Sequence, residues 1–416
     1  MNLQRRYDLD WVRIGAFLLL ILYHVGMYYV TWDFHVKSAH AADTIEPLML
    51  LSSPWRLSLL FLVSGVATRY LLMLRPARFL RTRSVRLLVP LLFGMLVIVP
   101  PQSYLEVVEK LGYAGGFGEF WRLYITGFHG FCRGSDCLIL PTWNHLWFVA
   151  YLWVYTVILF AGARLHDAVV QNRWGGLETR LERHLSGAQI LIWPMVYLAL
   201  ARLMLAPRFP QTHALVDDWY CHAVYLFFFL FGFALARMRA PWETIQQARW
   251  PALGAAVLSW AYLCAYYGIY SDPSAVPPAA LIVVGRIVYA ADQWLAIVAV
   301  LGFARRHWGH DGEARRYLTS AIFPVYILHQ TVIIVAAHAL KPASLYPPVE
   351  GLMLVMVTLA ACFLGYELIR RVPLLRPLFG LAFAPAVLPT RAAPGARAAQ
   401  PAGPGQVPPR DLAGSP

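Results

Sequence analysis

The chain has 416 residues, 59% of them hydrophobic and 14% charged, with a formal net charge of +13 and a mean hydropathy of +0.53. That balance excludes an ordinary soluble domain and describes a polytopic membrane protein. The positive charge does not point to nucleic acid, because the basic residues fall in short groups between apolar stretches, as cytoplasmic loops do.

A helix needs about 20 mostly apolar residues to cross a bilayer. Ten stretches qualify, at about 14–30, 51–74, 87–101, 146–163, 188–206, 220–238, 252–270, 279–303, 318–339 and 351–369. Arg and Lys groups precede the first and follow every second one, which predicts an all-α bundle with both termini cytoplasmic. A processing site at Ala39-His40-Ala41 lies too far beyond the first apolar run, so that run is expected to stay as a helix. The third stretch is short and ends at Pro100-Pro101, and the eighth carries Arg286 and Asp292. Residues 102–145 read as the longest outer loop, in which Cys132 and Cys137 are expected to be bonded in an oxidising compartment. Residues 1–380 make one membrane domain. From Leu381 onward Pro, Ala and Gly predominate, which predicts a disordered cytoplasmic tail over 381–416.

Ionisable groups inside apolar stretches need a reason to be there, since each costs several kcal/mol (about 2.5–3.5 on insertion scales) unless it faces a bundle interior or water. His24 stands eleven residues after Arg13, so on a helix the two share a face about three turns apart, with Asp10 near it. His24 reads either as a structural core histidine or as a general base for a hydroxyl. Arg75, Arg78, Arg81, Arg83 and Arg86 form an ordinary positive-inside loop or an anion clamp, with Arg83 and Arg86 gripping phosphate from the cytoplasm. Arg56 is expected to snorkel to the outer interface, and Ser64-Gly65 to allow close helix packing. Trp143, His145 and Trp147 read as an aromatic belt or a sugar-stacking platform. Tyr326 and His329 share a helix face, and with Arg286 they suggest an internal polar site. The sequence carries no Walker loop, no Gly-x-Gly-x-x-Gly, no His-Glu-x-x-His and no Cys-x-x-Cys, so no metal or nucleotide site is expected.

Five groups in order resemble the acyltransferase-3 family of integral membrane acyltransferases. They are Leu9-Asp10-Trp11-Val12-Arg13 with ten residues to His24, Arg56 with Leu60 to Gly65, Arg83-x-x-Arg86 with Pro90, His145-Leu-Trp-Phe148, and Tyr326-Ile-Leu-His329. Within the family the chain is most similar to a branch that adds succinyl groups to periplasmic glucans. Trp32, His35-Val36-Lys37-Ser38 and Val372-Pro373-Leu374-Leu375 add to that likeness, whereas Cys132 and Cys137 depart from it.

The resemblance implies transfer of an acyl group, succinyl or acetyl, from cytoplasmic acyl-coenzyme A to a hydroxyl of a periplasmic or envelope glycan. His24, with Asp10 and Arg13, would be catalytic, as base or as acyl carrier. Arg83, Arg86, Arg56 and Ser64 would bind the donor, and His35, His145, Trp147, Tyr326, His329 and Arg286 would serve the acceptor or support the site. A secondary transporter and a non-catalytic partner in glycan synthesis are the competing readings.

Overall fold

The computed structural model describes residues 6–74, 76–170, 174–272 and 274–383. Arg75, Arg173 and all but the first three residues of the expected tail lie outside them. The main helices are α1 (Tyr7–Tyr29), α2 (Arg56–Leu74), α3 (Phe79–Phe93), α4 (Pro100–Leu111), α5 (Phe117–Ile125), α6 (Trp147–Val170) and α7 (Trp174–His184). They continue with α8 (Gln189–Met204), α9 (Trp219–Leu235), α10 (Ala240–Gln247), α11 (Arg249–Ile269), α12 (Ala279–His307), α13 (Glu313–Leu340) and α14 (Pro347–Arg371).

Eight helical segments among the described residues are long and apolar enough to span a membrane. The pair α9 and α10, bent by 111°, makes a ninth, and α8 is a shorter apolar helix. The all-α polytopic bundle is present, and with both included the described residues are consistent with about ten spans.

Two stretches differ from the sequence reading. The third span does not stop at Pro100-Pro101 but runs from Pro76 to Leu111. Both prolines occupy the first turn of α4, where a missing N–H goes unnoticed. The join from α3 is a π-helical turn over Gly94–Ile98, closed by the Val99 N–H donating to the Gly94 carbonyl at 2.8 Å. The region 102–145 is not an open loop. It holds most of α4, then α5, then a hairpin of β1 (Cys132–Arg133) and β2 (Asp136–Cys137), all packed around Phe120, Tyr124 and Phe131. Cys132 and Cys137 are disulfide-bonded across the hairpin.

Small residues bring α2 and α9 together, as expected for Ser64-Gly65. A methyl group on Gly65 would stand 1.9 Å from the Phe229 carbonyl oxygen, and one on Gly232 would stand 2.0 Å from that of Leu62. The two backbones therefore touch reciprocally. Without a hydrophobic driving force between helices in lipid, such close approach supplies the packing energy.

Helix α1 runs parallel to α13 at a fixed register. Asp10 pairs with Arg315 and His24 with His329, each 305 residues apart in sequence. The fourteen residues between the two contacts correspond to about 21 Å of helix.

Gly65→Val should drive a side chain into the α9 backbone and destabilise the protein by at least about 1–3 kcal/mol. The check is the melting temperature of the purified protein in detergent. An unchanged midpoint would show that the two helices do not meet there.

Candidate active site

The first contact between α1 and α13 is ionic. Arg315 is 1% exposed. It donates to Asp10 and, at 2.8–3.0 Å, to Asp311. Hydrogen bonding to Arg315 is the main cause that holds the Asp311 carboxyl below the usual carboxylate range. Arg13, one turn further along α1, donates to the Thr319 carbonyl at 3.2 Å. Asp10 and Arg13 thus hold the two helices in register at one end.

The second contact is a pair of imidazoles. His329 is fully buried, and its Nδ1 lies 2.6 Å from the Tyr326 carbonyl oxygen. A carbonyl only accepts, so Nδ1 carries the proton and Nε2 of the neutral ring has the lone pair. That Nε2 is 3.0 Å from Nδ1 of His24, which must therefore be the donor. The chain of bonds assigns the His24 tautomer and leaves its Nε2 with a lone pair. His24 is half-buried and faces a cavity of about 300 Å³.

Arg56, His145, Trp147, His213 and Tyr326 line the same cavity. Arg56 does not snorkel. It is 3% exposed, lies over the Tyr23 ring at 3.7 Å and donates to the Ser52 hydroxyl at 2.9 Å. Its Nε is buried without a hydrogen-bond partner, and no carboxylate pairs with it among the described residues. A buried guanidinium with no carboxylate beside it is a site for negative charge. The Tyr326 hydroxyl donates to the His145 carbonyl, while the His145 ring bonds the Ile327 carbonyl at 3.1 Å and Gln102 at 3.4 Å.

His35 lies outside the cavity lining and within a polar network. Its Nδ1 is 2.5 Å from Glu106, which also accepts from Lys110. Gln330 joins the other His35 nitrogen at 3.0 Å and bonds Gln102 at 3.1 Å, so the network reaches His145 through amides. The side-chain amides of Gln330 and Gln102 are thus the link between His35 and the cavity residue His145.

Arg83 and Arg86 form a separate group with Arg13, close enough for the charges to act on one another. Arg86 donates to the Gly380 carbonyl at 3.1 Å, and the Arg83 Nε is buried with no hydrogen-bond partner. The His24 cavity does not reach this group. Phe17 and Leu20, which follow Arg13 on α1, and Leu87 and Leu91, which follow Arg86 on α3, are packed into the core, and Leu20 also lines the cavity.

Two expected residues fall elsewhere. Ser64 is absent from the cavity wall, being eight residues beyond Arg56 and therefore about 80° round the helix from it. Arg286 is absent from the cavity wall, while Tyr289 and Gln293, further along α12, line it. His213 was not foreseen. It sits in an aperiodic loop between α8 and α9, where a lone histidine gives no sequence signal. Among the described residues no group of His, Cys, Asp or Glu is arranged to hold a metal ion.

Known proteins place this arrangement in context. The profile of the acyltransferase domain family matches residues 6–367. The glucans biosynthesis protein C of Salmonella paratyphi B is 24% identical over 398 residues, covering 90% of this chain and 94% of the relative. The protein of that name from Escherichia coli O6:K15:H31 is 27% identical over 157 residues, covering 37% of this chain and 38% of the relative. No solved structure matches.

Arg315→Met should leave Asp10 and Asp311 without their shared cation. Breaking the partly buried Asp10 pair is expected to cost at least about 1 kcal/mol and to lower turnover, because α1 loses one of the contacts that set its register. Thermal unfolding and activity measured together check this, and an intact midpoint with full activity would refute the register assignment.

Proposed function

This chain belongs to the acyltransferase-3 family of integral membrane acyltransferases, and from that premise we propose a specific transfer. It moves a succinyl or acetyl group from acyl-coenzyme A on the cytoplasmic face of the inner membrane to a hydroxyl of a periplasmic or envelope glycan. The observation that carries this is the His24–His329 pair, whose hydrogen bonds leave a basic nitrogen facing a cavity beside Arg56.

In the direct route, the acceptor hydroxyl gives its proton to Nε2 of His24 and its oxygen attacks the thioester carbonyl. The tetrahedral oxyanion forms beside Arg56, a fixed donor in a dry site. Collapse expels the coenzyme A thiolate, which takes the proton back from His24. His329 supports the transient imidazolium by accepting from its Nδ1–H. In the two-step route the same Nε2 attacks the thioester and expels the coenzyme A thiolate; the acceptor hydroxyl then attacks the acylimidazolium and gives its proton to that thiolate, which leaves ester, thiol and neutral His24. Both routes need the lone pair that the tautomer leaves free.

The absence of a carboxylate beside Arg56 among the described residues favours succinyl over acetyl, since the terminal carboxylate of a succinyl group supplies the missing counter-ion. The glucan acceptor is supported by the names of the relatives. Arg13, Arg83 and Arg86 gather the guanidinium groups that suit the donor's phosphates. For the thioester to reach His24, Phe17 and Leu20 have to move aside.

His24→Ala should abolish transfer, a loss of at least about 10²–10⁴-fold for a general base, with insertion and folding intact. Turnover is read as coenzyme A thiol released on adding glycan. Near wild-type turnover would remove His24 from the chemistry. Glycan-independent solute uptake into proteoliposomes, without thiol release, would favour a transporter. Arg83→Gln combined with Arg86→Gln should raise the KM for acyl-coenzyme A about ten-fold or more and leave that for glycan unchanged. Calorimetric titration with acyl-coenzyme A checks the same loss directly, and equal affinity would count against the clamp.

A further inference from the structure

The loop between α8 and α9 has an unusual backbone. His213, Leu215 and Asp217 have φ of 56°, 70° and 61°, in the left-handed region that residues other than glycine avoid. Such conformations cost on the order of 1–3 kcal/mol each and persist only where the surroundings over-determine them. Here they do. The fully buried Asp218 accepts from the His213 N–H at 3.1 Å and from the Tyr151 hydroxyl at 2.5 Å. The Tyr151 hydroxyl in turn accepts the Leu215 N–H at 2.9 Å. His222 donates to the Leu215 carbonyl at 2.8 Å, and the Trp143 indole donates to the His213 carbonyl at 3.0 Å.

All of this bonding fixes one side chain over the cavity. The His213 ring stacks on Trp147 with centroids 4.0 Å apart, and its Nε2 is buried with no hydrogen-bond partner. Burial pushes its pKa below the ordinary histidine value, so the ring is neutral and has one nitrogen to donate and one to accept. Asp218 bonds the His213 backbone rather than its ring. A buried polar atom without a partner costs about 1–3 kcal/mol, which a bound ligand recovers.

His213 and Trp147 line the cavity, whereas Arg13, Arg83 and Arg86, the groups proposed for the donor's phosphates, do not. The geometry points to His213 as the acceptor-binding residue of the site: its Nε2 hydrogen-bonds a sugar hydroxyl and so aims a neighbouring hydroxyl at His24. A hydroxyl suits this atom because it donates and accepts, whereas an anion would find no charge on the neutral ring. Arg56, by contrast, serves the acyl group. The assignment rests on the transfer reaction proposed above.

The test uses full-length protein, acyl-coenzyme A and the periplasmic glucan fraction from cells that lack the protein. His213→Asn is the first variant, because Asn tolerates the left-handed backbone, and His213→Gly is the second, because it keeps the φ and removes the ring. Both should raise the KM for glucan about ten-fold, as loss of one hydrogen bond to a buried group does. The KM for acyl-coenzyme A should stay within about two-fold, and kcat should fall less than the glucan KM rises. An unchanged glucan KM in either folded variant, or an equal rise for both substrates, overturns the assignment of His213. Failure of the wild-type protein to acylate the fraction overturns the transfer reaction itself, and this inference with it.

Discussion

The structure depends on the parallel contact between α1 and α13. An ion pair at one end and an imidazole pair at the other share one sequence offset, so a single register satisfies both. The ionic contact is strongly directional because Arg315 is buried and shared between Asp10 and Asp311. Sliding α1 by one residue would turn each of its side chains by about 100°. His24 would then leave the His329 nitrogen and its place in the cavity wall. A charge pair three to four turns away thus helps to fix where the His24 ring meets the cavity.

The surrounding groups divide by the charge they can meet. Arg56 provides fixed positive charge, His24 a lone pair, and His213 a neutral polar atom. Aromatic rings separate them: Tyr23 lies under Arg56, Trp147 under His213, and Phe17 against Tyr326 at 5.2 Å. The low dielectric of such walls strengthens each polar contact made inside. Arg202 on α8 steadies the far wall, lying 3.3 Å over Tyr289 and donating to the Tyr220 hydroxyl at 2.8 Å.

The bundle was legible in the sequence because apolar length and Arg/Lys placement are strong, local signals, and so was the close packing at Gly65. The spacing of Arg13 and His24 correctly put both on one helix face, but spacing does not tell whether a cavity joins them. Phe17 and Leu20 fill that interval, and their apolar character looks the same in a wall as in a plug. Arg56 was misjudged from its nearness to the end of a span. Distance along the helix does not reveal that the guanidinium turns inward over Tyr23. Ser64 stands off the cavity wall, beside Gly65, whose small size serves the α2–α9 contact. His213 was invisible because a left-handed loop held by distant side chains leaves no period to read.

The wide turn at Gly94–Ile98 joins two halves of one 36-residue rod that serve different ends of the molecule. The half before it bears Arg83 and Arg86, and the half after it bears Gln102 and Glu106. A π-turn holds one residue more than an α-turn, so tightening it would twist the second half by about 100° relative to the first. The amide of Gln102 would swing away from Gln330, and the carboxylate of Glu106 from His35. The extra residue in that one coil thus sets the angle between the face that bears Arg83 and Arg86 and the face that bears Gln102 and Glu106.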